Sequence, residues 1–432
     1  MLGVALEGGG ARGAFHIGAI KALLEEGYEI DGIVGTSIGA FNAAMVAQGD
    51  FEKCFDMWSN ITPQQLFDIE DRHMANVINR NLDIKTISYF SGEAKKIIAN
   101  RGIDTENLRK VVDELVDEEK LRNSNIDFGL VTVELGPLSP IEVFKEDIPE
   151  GKIKDYIMAS ARYPGLKMEP LDGKAYLDGG LYDNCPVSLL AKKNYDKIIA
   201  IRLNSSRKLK HVDKNTNVVE IQPSMDLGGT FIFTKDLAHR NIKLGYYDAI
   251  KAIRKLRGRE YYIEPVDDDL IFNKLLELPD DLILDIGRSM GLEDIPVKRM
   301  LFEFILPNIS KYLNLNKEDN YQDIIIALLE NMAKERQIEK FKIYSLLDFL
   351  NLIKDNEKEG NFHNKIQLSL RGLKRKAIEN FTQVNVDIIN EKLIEYNCSI
   401  LDELEKKEFY EALISSRNSI NKIISELTNS IK

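Results

Sequence analysis

The stretch VGTSIGA, Val34 to Ala40, joins two apolar runs. "DGIVGTS" (31–37) reads as a short strand, and "IGAFNAAMVAQG" (38–49) as a helix stopping at a glycine. Ser37 therefore stands at a strand-to-helix turn, between Gly35 and Gly39. A nucleophile elbow needs that context, a sharp turn that pushes the hydroxyl out, and glycines that let strand and helix approach. A serine there is equally an ordinary helix N-cap. The stretch alone leaves both readings open.

Upstream, "LGVAL" (2–6) is a short apolar strand that runs into "EGGGARG" (7–13) and then the helical pattern "AFHIGAIKALLEEG" (14–27). Strand–helix–strand–helix with short links predicts parallel βαβ architecture. Gly8, Gly9 and Gly10 expose backbone amides, with Ala11 and a fixed positive charge on Arg12 beside them, which suits an oxyanion. Gly8, Gly10 and Gly13 also satisfy the dinucleotide pattern G-x-G-x-x-G. That pattern expects an acidic residue at the end of the second strand. The strand ends in Gly35-Thr36-Ser37 instead, which favours the oxyanion reading.

A serine needs something to take its proton. The histidines are His16, His73, His211, His239 and His363. His16 lies one helical turn past the glycine loop, and the others fall in helical patterns or polar loops, so none ends a strand. A carboxylate is the alternative. "AYLDGG" places Asp178 at a strand end, before two glycines that permit a tight turn. Asp172 reads as a turn residue, and Asp183 has no strand context.

Taken together, the three pieces resemble the patatin-like phospholipase family over about residues 2–255. "EGGGARG" resembles its oxyanion loop, "GTSIGA" its nucleophile elbow, and "DGG" (178–180) its catalytic aspartate motif. "HIGAIKALLEEG", "ASARYPG", "DGGLYDNCPV" and "LGYYDAI" match as well. The resemblance implies a three-layer α/β sandwich with a mainly parallel central sheet. It also implies a Ser–Asp dyad without histidine, acting on acyl esters of lipids and needing no metal or other cofactor. Ser37 would attack the ester carbonyl, and Asp178 would take the proton and later activate water. The amides around Gly9, Gly10 and Ala11, with Arg12, would hold the oxyanion. Two departures stand out: Glu7 where small or polar residues are commoner, and Arg162-Tyr163 before Pro164.

The chain has 432 residues and a net charge of −11, which argues against general nucleic-acid binding. Three scattered cysteines (Cys54, Cys185, Cys398) form no disulfide framework or zinc motif, which favours a reducing, cytoplasmic setting. No apolar run nears the ~20 residues that span a bilayer, so contact with a membrane would be peripheral. Of 28 glycines, 24 lie at or before Gly258. The expected organisation is an α/β hydrolase domain over 1–260 and an α-helical region over 261–432. Residues 60–125 form a helical insertion, either plain or a lid over the site. "RGLKRK" (371–376) reads as a solvated basic face, with anionic headgroups the rival reading. The leading function is a phospholipase A or lysophospholipase. Its rivals are a non-lipid esterase or thioesterase, and an inactive scaffold of the same fold.

Overall fold

The computed structural model describes residues 1–62 and 105–356, apart from 136–138, 164–165, 167–169, 172, 205–207, 211–215, 293 and 317. Much of the 60–125 insertion, the basic cluster at 371–376, Cys398, His73, His211 and His363 lie outside the described residues. The chain divides into two compact units, Met1–Leu256 and Arg257–Lys432.

The first unit is built on a seven-stranded sheet. Strands β1 (Leu2–Leu6), β2 (Gly32–Thr36), β3 (Asp127–Glu134), β4 (Ser139–Phe144), β5 (Tyr176–Asp178), β6 (Lys197–Ile201) and β7 (Asn217–Ile221) lie in the order β4-β3-β2-β1-β6-β7, with β5 also on β3. The β3–β2–β1–β6–β7 pairs are parallel, while β4 and β5 run antiparallel to β3. The central strands β1, β2 and β6 are largely buried apolar runs, as parallel strands covered on both faces must be.

Alternate residues serve opposite faces. Ala5, Val34, Val131, Ile198 and Ala200 pack with Val187, Leu189 and Leu190, which belong to or flank a short helix, Val187–Lys192. On the other face lie α1 (Ala14–Glu25), α2 (Ile38–Ala47), α3 (Phe51–Ser59) and a long helix, Lys235–Arg254. Helices Glu106–Leu115, Glu118–Asn123 and Ile153–Ser160 complete the described α-helices of this unit. The result is the expected α/β layering around a mainly parallel sheet.

Helix α1 crosses Lys235–Arg254 backbone to backbone. A methyl group on Gly18 would lie 1.8 Å from the Ile242 carbonyl oxygen, and one on Gly245 would lie 2.0 Å from that of Phe15. In a free helix, Gly→Ala gains about 1 kcal/mol. Here the sign reverses: Gly18→Ala and Gly245→Ala are each expected to lose about 1–3 kcal/mol through forced separation of the helices. Thermal unfolding by circular dichroism reads this, and a raised Tm in either variant refutes the close crossing.

The second unit is helical in its described part, with one two-stranded pairing of Tyr262–Ile263 with Ile343–Tyr344. An apolar stripe at 324–332 lies on the helix Tyr321–Glu335, which opens with a capping box between Asn320 and Asp323. Ile324, Ile325 and Leu329 are buried in this unit's own core, and Leu328 and Met332 pack against it. Buried Glu330 on that helix accepts the amides of Arg259, Glu260 and Tyr261 at 2.7–2.8 Å, which fixes the entry to the unit.

Candidate active site

Ser37 does not cap α2 with its side chain. Its backbone has φ 56° and ψ −126°, a left-handed conformation that costs a non-glycine residue roughly 1–3 kcal/mol. Hydrogen bonds on both sides of the turn hold it there. The Ser37 carbonyl accepts the amides of Ala40 and Phe41. The Ser37 amide donates to Ser160 Oγ at 2.8 Å, and that hydroxyl donates to the Val131 carbonyl at 2.6 Å. Thr36 Oγ1 donates to the Asp183 carbonyl at 2.8 Å. The two flanking glycines are sterically required. A methyl group on Gly35 would meet the Gly39 carbonyl at 2.2 Å, and one on Gly39 would meet the Leu6 carbonyl oxygen at 2.4 Å.

Sheet register brings Asp178 to this turn. β4 occupies one edge of β3 from Gly129 to Glu134. β2 and β5 therefore share the other edge, in line with each other. Thr36, the last residue of β2, pairs with Val131, and Asp178, the last residue of β5, pairs with Thr132. The two strand ends meet at consecutive positions of β3, so Ser37 and Asp178 face one junction. Asp178 is 6% exposed, its amide donates to the Arg162 carbonyl, and its Oδ1 accepts the Gly180 amide at 2.7 Å. Gly179 fits because a side chain there would strike the Val131 carbonyl.

The glycine loop reaches the same point. A methyl group on Gly8 would sit 3.3 Å from Ser37 Cβ and 2.6 Å from Asn184 Oδ1. Not all its amides are available. Gly8 donates to the Asn184 carbonyl at 2.9 Å and Ala11 to the Thr230 carbonyl at 2.7 Å. This corrects the expectation for Ala11, whose amide anchors a distant loop rather than facing a ligand. Among the described residues no acceptor takes the Gly9 or Gly10 amide, so these two remain, with the Ile38 and Gly39 amides that open α2. Gly10 has φ 57°, and a methyl group there would strike the Thr230 carbonyl. Arg12 Nε donates to the Gly228 carbonyl at 2.8 Å, so its guanidinium braces the 228–230 loop against the glycine loop.

The described histidines do not serve Ser37. His16 is fully buried, and burial alone lowers its pKa to about 3. Its Nδ1 faces Asn42 Nδ2 at 3.3 Å, and Asn42 also receives the Trp58 indole N–H. His239 is exposed, with Nε2 at 2.7 Å from the Ser59 carbonyl. Cys54 and Cys185 are buried thiols whose pKa values burial pushes up, so both are structural.

The sequence reading missed one network. Glu7, 1% exposed, takes the amides of Leu203 (2.5 Å) and Asn204 (2.9 Å) and Arg202 Nε (3.3 Å) on Oε2. Its Oε1 accepts from Asn184 Nδ2 (3.3 Å) and Arg202 Nη2 (3.4 Å). Asn184 Nδ2 also donates to the Gly8 carbonyl at 3.1 Å. The residue that departed from pattern thus ties the base of the glycine loop to the end of β6 and to the segment after Asp178.

Residues 4–191 match the model of the family described as Patatin-like phospholipase. An uncharacterized NTE family protein of Mycobacterium tuberculosis is 31% identical over 216 residues, which cover 50% of this chain and 52% of that one. Human patatin-like phospholipase domain-containing protein 6 is 25% identical over 303 residues, covering 67% of this chain and 20% of that one. Lysophospholipase NTE1 of Yarrowia lipolytica is 27% identical over 293 residues, covering 64% and 18%. The chain thus spans about half the length of the first of these relatives and a fifth or less of the other two. The crystal structure of VipD from Legionella pneumophila aligns over 99% of this chain and 87% of that one, at 16% identity and a TM-score of 0.37. That score is too low to bear on the fold. Among the described residues, no helix is long and apolar enough to cross a membrane.

Proposed function

Starting from residues 4–191 as a patatin-like phospholipase domain, we propose that this chain is a serine acyl hydrolase of lipid esters, of phospholipase A or lysophospholipase type. The carrying observation is the meeting of β2 and β5 end to end on β3, which sets Asp178 beside the strained Ser37 turn. Ser37 Oγ attacks the ester carbonyl and passes its proton to the Asp178 carboxylate. The alkoxide of the tetrahedral intermediate lies among the Gly9, Gly10 and α2 amides, at the positive end of the helix dipole. Asp178 returns the proton to the leaving alcohol, leaving an acyl-Ser37 ester. Asp178 then takes a proton from water as it attacks the acyl carbon and returns that proton to the departing Ser37 Oγ, which frees the fatty acid and restores both residues.

The strained backbone supports this over the capping role, because a cap does not need φ 56° and Ser37 makes no side-chain cap hydrogen bond. A fluorophosphonate probe tests it. The expected result is one adduct on the peptide carrying Ser37, together with release of free fatty acid from phospholipid. Labelling elsewhere, or none on active protein, refutes the assignment. The relatives' names also support lipid esters over non-lipid ones. Lipidomics of wild type against Ser37→Ala identifies the species consumed.

A further inference from the structure

Among the described residues, unit 1 leaves seven large apolar side chains exposed, and four of them adjoin segments of the candidate site. Tyr163 (50% exposed) follows Arg162, whose carbonyl holds the Asp178 amide. Leu181 (59%) and Tyr182 (41%) directly follow Asp178-Gly-Gly. Phe231 (37%) follows Thr230, whose carbonyl holds the Ala11 amide. Tyr163 and Phe231 touch edge to face, centroids 5.6 Å apart, so the Asp178 side and the glycine-loop side meet through an aromatic pair.

We propose that Tyr163, Leu181, Tyr182 and Phe231 form a rim that seats this unit on a phospholipid surface, with the Ser37 junction facing the bilayer. This rests on the lipid-ester reading above and adds the partner surface to it. Folding leaves these side chains uncovered, and a ring of exposed apolar groups around a cleft marks an interaction site. Two observations favour a lipid surface as occupant. Two of the four are tyrosines, whose apolar ring and polar tip suit the headgroup boundary. An exposed cation, Lys208, also stands beside them, and its charge is complementary to lipid phosphate. A cleft of about 290 Å³ next to Tyr182 is lined by Lys208, Lys210 and Arg202 with Glu7 and Asp183. Glu7 is taken by Arg202, and Asp183 lies 3.7 Å from Lys210 and accepts from Ser188. Lys210 stacks on the Tyr182 ring, and Lys208 stands exposed at the edge. Arg202 is also paired with Glu220, so on a chain of net charge −11 the cation left over here is Lys208, which has no carboxylate partner among the described residues.

The test uses the full chain with vesicles of phosphatidylcholine, alone and mixed with phosphatidylglycerol. Ser37→Ala protein is expected to sediment with mixed vesicles as wild type does, so binding is read independently of catalysis. Leu181→Ser should weaken binding and vesicle hydrolysis about ten-fold while hydrolysis of dissolved p-nitrophenyl butyrate stays level. Lys208→Ala should cost about five-fold on mixed vesicles only. Leu181→Trp should bind more tightly, and its emission should shift to the blue on adding vesicles, against the constant background of buried Trp58. If Leu181→Trp emission ignores vesicles, or Leu181→Ser loses dissolved-ester turnover as much as vesicle turnover, the rim is not a membrane seat. Loss of hydrolysis without loss of vesicle binding would instead bear only on the catalytic assignment.

Discussion

Asp178→Asn is expected to lower kcat for a dissolved p-nitrophenyl ester by roughly 10³-fold or more, to the floor set by Ser37→Ala, because it removes the only group proposed to accept the serine proton. The substitution keeps an oxygen for the Gly180 amide, so the turn persists and the loss is chemical. The double variant should be no slower than either single one, since residues that act as one unit lose their effect once. Full additivity, or near-normal turnover by Asp178→Asn, sinks the dyad. Ser37→Gly separates the two roles of the serine by stability. A capping serine loses a few tenths of a kcal/mol on becoming glycine. A serine strained at φ 56° gains, here about 1 kcal/mol, because glycine adopts that conformation freely. An inactive but more stable Ser37→Gly is the expected outcome, and denaturant unfolding measures it.

Much of this site was legible because its signals are local. The apolar runs at 2–6 and 31–37 became β1 and β2 within a residue or two. Gly35 and Gly39 were read as close-approach positions, and atoms at 2.2–2.4 Å from their missing Cβ positions show why. What remained hidden is non-local. Nothing near Ala11 in sequence says that its amide belongs to Thr230. The buried Glu7 was visible only as a departure from pattern, because its partner Arg202 lies 195 residues away. The three-residue strand β5 is too short for a periodic signal. Its place in line with β2 follows from β4 having taken the other edge of β3. Asn184 and Ser160 had a signal available, since each falls in a stretch that resembled the family, but their roles needed the tertiary fold.

Arg202→Met is the other large effect, and Glu7 is the reason. Removing the guanidinium, itself 2% exposed, leaves a carboxylate that is 1% exposed without its counter-ion. A stranded buried charge costs about 3–5 kcal/mol, far more than a surface pair is worth. Glu220, the other partner of Arg202, is 35% exposed and returns to water. The loss should also reach catalysis. Glu7 directly precedes Gly8, and an unpaired negative charge there opposes the oxyanion forming at Gly9 and Gly10. The kcat of the folded fraction should therefore fall in Arg202→Met beyond what unfolding removes. The double variant Glu7→Gln/Arg202→Met discards both charges, and its amide oxygen still accepts from the Leu203 and Asn204 amides. It should recover most of the stability and of kcat, as buried ion pairs replaced together often do. Urea unfolding monitored beside saturating ester kinetics decides it. If the double variant is no better than Arg202→Met in either measure, the pair does not act through charge compensation beneath the glycine loop.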